Sequence, residues 1–229
     1  MFRKCAPLAV AIFALSGCVV HHAGPSQHDY VSFDRDKAEL VRVDLKMGAG
    51  TLRVGSGTEK LARADFEFNV PEWKPEVSYS AGTLRISQPS NSIKTFGDTK
   101  YDWDLRLTRD VPIDMNVNFG AGEAHLDLGS LALRRVDVQM GVGQIDMDLR
   151  GQPKHDYSVS IHGGVGEATV RLPADVGIYA EAKGGIGEIS AQGLHNDGSK
   201  YYNDAYQKAP VTVRLDVQGG IGSIKLIAD

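Results

Sequence analysis

One short phrase, Gly-x-Gly, recurs along the chain together with the residues around it. The copies read MGAGTLRV (47–54), FGAGEAHL (119–126), MGVGQIDM (140–147), GGVGEATV (163–170), GGIGEISA (184–191) and GGIGSIKL (219–226), with a weaker copy, YSAGTLRI, at 79–86. Ahead of the glycines the apolar residues alternate at odd offsets, as in Val43, Leu45 and Met47 or Val136, Val138 and Met140. Beyond them the alternation resumes at even offsets, as in Leu52 and Val54 or Ile145, Met147 and Leu149. Period-two alternation means a strand with one buried face. A change of parity requires a bulge or corner between two strand segments, because otherwise every following side chain would flip to the wrong face. The glycine pairs are therefore read as corners: Gly48 with Gly50, Gly120 with Gly122, Gly141 with Gly143, Gly164 with Gly166, Gly185 with Gly187 and Gly220 with Gly222. There glycine supplies unusual backbone angles and takes little room.

Successive first glycines from Gly120 to Gly185 are separated by 21, 23 and 21 residues, and the last interval is 35. A unit of two short strands cannot bury its apolar face alone, whereas stacked units share a continuous core. The expected fold is all-β, a β-solenoid of about six stacked units of roughly 21 residues, the weaker copy counted among them. A Greek-key β-sandwich is the alternative. The glycines do not form a dinucleotide fingerprint, which needs a third glycine and a following helix. Nor do they form a calcium β-roll turn, whose aspartate position holds Ala168 in one copy and Ile189 in another.

The N-terminus carries a basic start, MFRK, and an apolar run too short to span a membrane. LSGC at 15–18 resembles the lipobox of bacterial lipoprotein precursors. That resemblance implies removal of residues 1–17 and acylation of Cys18, and two or more acyl chains hold a protein on a membrane durably. Val19 in place of Asp points, by the same analogy, to the outer membrane. The only other cysteine, Cys5, lies in the removed segment, so the mature chain has no disulfide. Without Arg3 and Lys4 the 25 basic residues become 23 against 29 acidic ones, a net charge of −6. Such a chain is a poor nucleic-acid binder.

Residues 18–36 read as the lipidated cysteine and a tether, and 37–229 as the solenoid domain. His21, His22 and His28 are sparse residues of the tether, and no metal or cofactor is expected. Two stretches interrupt the rhythm. Residues 58–112 contain the alternating segments DFEFNV and YDWDLRL, which read as wider coils or an added sheet, with Trp73 in a cap over the first rung. Residues 194–210 form an inserted loop whose Tyr201, Tyr202 and Tyr206 suit recognition, since tyrosine gives contact area at low entropic cost. Stacking in chain order would set Glu167 beside Glu188 about 4.8 Å away. Asp146, Asp148 and Arg150 lie along one strand rather than clustering across rungs, and the histidines are scattered, so no catalytic constellation is expected.

The phrases DVPIDMNVNFGAGEAHLDLGSLALRRVDVQMGVGQIDMDL and LPADVGIYAEAKGGIGEI resemble the bacterial toast-rack and putative-adhesin repeat families over roughly residues 40–229. The resemblance implies an all-β, solenoid-like architecture in a cell-envelope setting, and it brings no catalytic motif. Related domains occur in membrane proteins that modulate envelope-stress signalling. The expected function is a lipid-anchored surface that binds a protein or glycan, in adhesion or envelope organisation. The competing expectation is a periplasmic regulatory partner. Exposed solenoid ends also leave self-association open.

Overall fold

In a computed structural model of the protein, which describes residues 21–90, 95–96 and 98–229, the described residues form strands and a single 3₁₀ turn at Pro71–Trp73. Cys18 and the leader lie outside the described residues. The strands in chain order are β1 (His21–His22), β2 (Gln27–Phe33), β3 (Val41–Ser56), β4 (Ala62–Phe68), β5 (Glu76–Ser80), β6 (Thr83–Ser87), β7 (Thr95–Phe96) and β8 (Tyr101–Leu107). They continue with β9 (Ile113–Asp127), β10 (Leu133–Asp148), β11 (Tyr157–Leu172), β12 (Gly177–Gln192), β13 (His195–Asp197), β14 (Lys200–Tyr202) and β15 (Thr212–Ala228).

Each of the six Gly-x-Gly phrases lies inside one long strand of 15–17 residues, namely β3, β9, β10, β11, β12 and β15. The ladder pairing runs through the corner, so each strand has a first limb before it and a second limb after it. The expected change of parity is present. Met47 and Leu52 are both buried, five residues apart, as are Met140 and Ile145. The buried side chains of both limbs belong to one core. This is the solenoid-like architecture rather than the sandwich.

The stacked corners show why glycine is needed. The second glycine of each pair has a positive φ, which an L side chain resists: +140° at Gly50, +125° at Gly122 and +138° at Gly143. Space is short there as well. A Cβ added at Gly122 would meet the carbonyl oxygen of Gly50, and one at Gly50 that of Tyr101, on the strand that covers the first rung. The first glycine has an ordinary φ but no space. A Cβ added at Gly164 would meet the carbonyl oxygen of Gly141, and one at Gly120 that of Gly48. The six first glycines make a ladder in the order Gly48, Gly120, Gly141, Gly164, Gly220, Gly185. At its start the Gly48 N–H is received by Gln88 Oε1 at 2.7 Å.

That ladder departs from chain order, and three expectations are corrected here. First, β15 pairs in parallel with both β11 and β12, so the last strand lies between its two predecessors. Glu167 is thus next to Ser223, and Ser223 next to Glu188, so the two carboxylates are separated by a full rung. Second, the weaker copy at 79–86 is no corner. Ala81 (φ 47°) and Gly82 (φ 73°) form a tight two-residue turn that joins β5 and β6 as an antiparallel hairpin. Third, the sheet starts inside the expected tether. Residues 27–33 form β2, antiparallel to β4. As an edge strand with only Val31 and Phe33 packed on the core, it lacks a strong apolar alternation.

The segment 58–112 is an added sheet that covers the start of the stack. β6 lies parallel on the first limb of β3, with β5 outside it. β8 lies parallel on the second limb, followed by antiparallel β4 and β2. Trp103 is buried and meets Phe66 edge-on at 5.7 Å. Trp73 is half-buried against Tyr101, whose hydroxyl donates to the Trp73 carbonyl at 2.7 Å.

Neighbouring glycines should therefore respond in opposite ways. A Cβ at Gly163 meets no atom within 4 Å, whereas one at Gly164 meets backbone. Gly163→Ala is expected to leave stability unchanged or slightly raised, and Gly164→Ala to lower it by about 2–4 kcal/mol, read by urea denaturation.

Candidate interaction surface

The insertion before the last strand is a folded hairpin rather than an irregular loop. Gly198 (φ 66°) makes the turn between β13 and β14. β14 then pairs antiparallel with the first limb of β12, matching Tyr179 to Tyr202, Ala180 to Tyr201 and Glu181 to Lys200. Alternation along β14 splits the tyrosines. Tyr201 turns inward and is buried, packed into the core that also holds Ala180 and Ala182. It presents nothing to a partner. Asn203, also buried, pins the hairpin: its amide donates to the Val176 carbonyl at 2.7 Å and accepts from the Ile178 N–H at 2.9 Å.

Tyr202 turns outward and joins a surface aromatic group. Its ring lies 5.4 Å from His195 and 6.4 Å from Tyr206, and Tyr206 lies 5.2 Å from Tyr179. Carboxylates edge the group. The Tyr179 hydroxyl donates to Glu181 at 2.9 Å, which raises the phenol's pKa and lowers that of Glu181. His195 Nε2 stands 2.7 Å from Asp204, and that hydrogen bond holds the Asp204 carboxyl below its usual range. Flat aromatic faces edged by acceptors suit apolar faces that also carry hydroxyl or amide donors. The tyrosine-rich composition flagged this region, but Tyr179 and His195 join it only through the hairpin pairing.

A second surface follows the corners. The middle residues of the Gly-x-Gly phrases stand in register in the order Ala49, Ala121, Val142, Val165, Ile221, Ile186. Their side chains grow along the stack, and the last four are 53%, 44%, 51% and 71% exposed. Next to the ridge in sequence, the first-glycine ladder borders a shallow groove of about 940 Å³, whose lining includes Lys46, Asn118, Gln139 and His162. The middle position is apolar in every copy, a pattern that the alternation of the flanks does not report.

The corner glycines, which the sequence presents as equivalent, differ in what they border. Gly48, Gly120, Gly141 and Gly164 line the groove. Gly166, Gly187 and Gly222 border a much smaller space of about 30 Å³ at the last three corners. Gly50 and Gly122 line neither, and the same holds for Gly143. Gly50 and Gly122 shape the corner through their positive φ.

Four further candidates, Asp146, Asp148, Arg150 and Glu167, are held in ion pairs. Asp148 binds the Arg150 guanidinium at 2.6 Å, which lowers its pKa, and Arg150 also reaches Asp229. Asp146 is held by Arg171, and Glu167 has Lys225 at 4.0 Å. Among the described residues no group of three or more His, Cys, Asp or Glu is placed to hold a metal. Among them also, no helix is long and apolar enough to cross a membrane.

Comparison with known proteins follows this architecture. The model of the toast-rack N-terminal domain matches residues 22–171, and that of the C-terminal domain of LiaF, a cell wall-active antibiotics response protein, matches residues 122–226. A solved structure of a putative cell adhesion protein from Clostridium sporogenes is similar with a TM-score of 0.85 and 29% identity, covering 90% of this chain and 100% of that one. A putative adhesin from Bacteroides fragilis aligns at 12% identity and a TM-score of 0.40, covering 90% of this chain and 99% of the other. Among curated proteins none matches this chain.

The split between Tyr201 and Tyr202 is open to measurement. Tyr201→Ala is expected to cost about 3–5 kcal/mol of stability and Tyr202→Ala less than about 1 kcal/mol, both read by chemical denaturation.

Proposed function

The chain belongs to the toast-rack family, and from that premise we propose that it is a non-catalytic cell-envelope protein, anchored by lipid at Cys18, that presents its β-solenoid to a protein or glycan ligand. Its role is adhesion or organisation of the envelope. The observation that carries this reading is the outward aromatic group of Tyr179, Tyr202, Tyr206 and His195, mounted on the stacked sheet. Aromatic side chains held by packed strands present large contact areas with little entropy left to lose, and such residues dominate binding energies. The similarity to a putative cell adhesion protein at 29% identity supports the same reading.

The lipid anchor rests on the LSGC segment, and Val19 after the cysteine favours the outer membrane. The acidic balance of the chain argues against nucleic acid as ligand. The residues that could have formed a hydrolytic site are instead paired in Asp148–Arg150 and Asp146–Arg171.

Three measurements test this. Cys18→Ser is expected to move the protein from the membrane fraction to the soluble fraction. Protease treatment of intact cells, with lysed cells as control, is expected to remove residues 40–229; protection until lysis would place them in the periplasm and sink the adhesion role. Tyr202→Ala combined with Tyr206→Ala is expected to weaken capture of envelope glycans or surface proteins at least about tenfold with the fold retained. Unchanged capture would remove the aromatic group from the interface.

A further inference from the structure

The side chains that the corners turn outward are unusual for a protein surface. Among the described residues, the large apolar side chains left exposed are Val142, Val165, Ile221, Ile186 and two tyrosines, Tyr30 and Tyr202. All four aliphatic ones are middle residues of neighbouring corners, in register at a rung spacing of about 4.8 Å. Contiguous exposed apolar surface marks contact with a partner or a membrane.

Which of these the ridge meets follows from where the chain enters the fold. β2 begins at the corner end of its sheet: Gln27 pairs with Phe68, Phe68 with Tyr101, and the Tyr101 carbonyl stacks on Gly50. Upstream, the Gly24 N–H donates to the Asn69 carbonyl at 2.8 Å, and the Asn69 N–H donates to the Lys100 carbonyl at 3.2 Å. The entering chain thus passes on the corner side of Tyr101, and His21 and His22 then pair with Thr95 and Phe96. Three residue steps separate His21 from Cys18, at most about 11 Å of extended chain. The turns between rungs, such as 128–132 and 149–156, lie at the opposite edge of the stack.

We propose that the corner edge docks on the membrane, with the ridge of Val142, Val165, Ile221 and Ile186 inserted into the interface of the leaflet that holds the Cys18 acyl chains. The inference rests on the lipid anchor proposed above. Two residues before each first glycine runs a file in register, Lys46, Asn118, Gln139, His162, Gln218 and Lys183, which contains no carboxylate. Its amide and ammonium donors suit the phosphate and ester oxygens of headgroups. Two residues after each middle residue the file is Thr51, Glu123, Gln144, Glu167, Ser223 and Glu188, with three carboxylates. The difference sets the roll of the stack: the first-limb side turns toward the headgroups and the carboxylates toward water. Because the acyl anchor makes the contact intramolecular, a ridge of four side chains is enough. Docked this way, the aromatic group faces away from the leaflet, since it sits at the turn end of β12, where a Cβ on Gly177 would meet Tyr206.

The test uses the full-length acylated protein in vesicles of phosphatidylethanolamine and phosphatidylglycerol. With Cys18 acylated the mature chain has no other thiol, so a single introduced cysteine accepts a fluorescent label. Labels at Val165→Cys and Ile186→Cys are expected to be quenched by nitroxide-bearing lipid and shielded from aqueous iodide. A label at Gln152→Cys, in a turn at the opposite edge, is expected to show the reverse. Adding Val142→Asp and Ile221→Asp, at exposed positions that the core does not use, is expected to abolish lipid quenching at Val165→Cys while the protein still floats with the vesicles. Ridge labels open to iodide on floating, acylated protein overturn the docking and leave the anchor standing. Ridge labels shielded from both quenchers also overturn it, and would mean that a second copy covers the ridge. A chain that mass spectrometry shows to carry no acyl group overturns the anchor, and the docking with it.

Discussion

The close stacking of backbone on backbone at the corners is the constraint on which the rest of this structure depends. Each first glycine after Gly48 sits so close to the carbonyl of a neighbouring rung that a single methyl group would force the rungs apart. Each second glycine holds a φ that other residues resist. Together they let one strand turn while its ladder of hydrogen bonds continues, and the five-residue step from one buried position to the next keeps both limbs facing the same core. Without the turn, either limb would be half of an open sheet with nothing to bury its apolar face.

The same regularity creates the problem of ends. Parallel rungs with matching pattern add to one another readily, and a stack that never stops would be a fibre. The chain closes the start with a separate set of strands, β2, β4, β5, β6 and β8, and the alternating charged residues on the outer face of β4 and β8 make poor templates for another copy. At the far end the β13–β14 hairpin covers one limb only. Because that hairpin occupies the outer side of β12, the strand that follows it stacks on the inner side, between β11 and β12.

The solenoid thus acts as a scaffold whose surface is written by the positions the core does not claim. The middle residue of each corner points away from the core and forms the ridge. The outward residues of β12 and β14 form the aromatic group, beside the end where the core is least complete. A rigid sheet under both surfaces means that a ligand meets side chains already in place, which lowers the ordering cost of binding.

Much of this was legible in the chain. The parity change across Gly-x-Gly implied the corner, the spacing implied the stack, and the alternation in DFEFNV and YDWDLRL implied the added strands, because periodicity reports directly on which side of a strand is buried. Order and pairing were not legible, since every Gly-x-Gly phrase is compatible with every other and local pattern cannot say which two are neighbours. For the same reason nothing local separated Gly48, which borders the groove, from Gly50, which does not. Whether Tyr201 or Tyr202 faces outward depended on the register of β14 against β12, and the separation of Glu167 from Glu188 on where β15 settled. The sequence by itself determined a bent, stacking strand and the residues it buries. Only the tertiary structure decided which strands meet, because in a repeat of equivalent rungs that choice is made by the connections and by the edges left free.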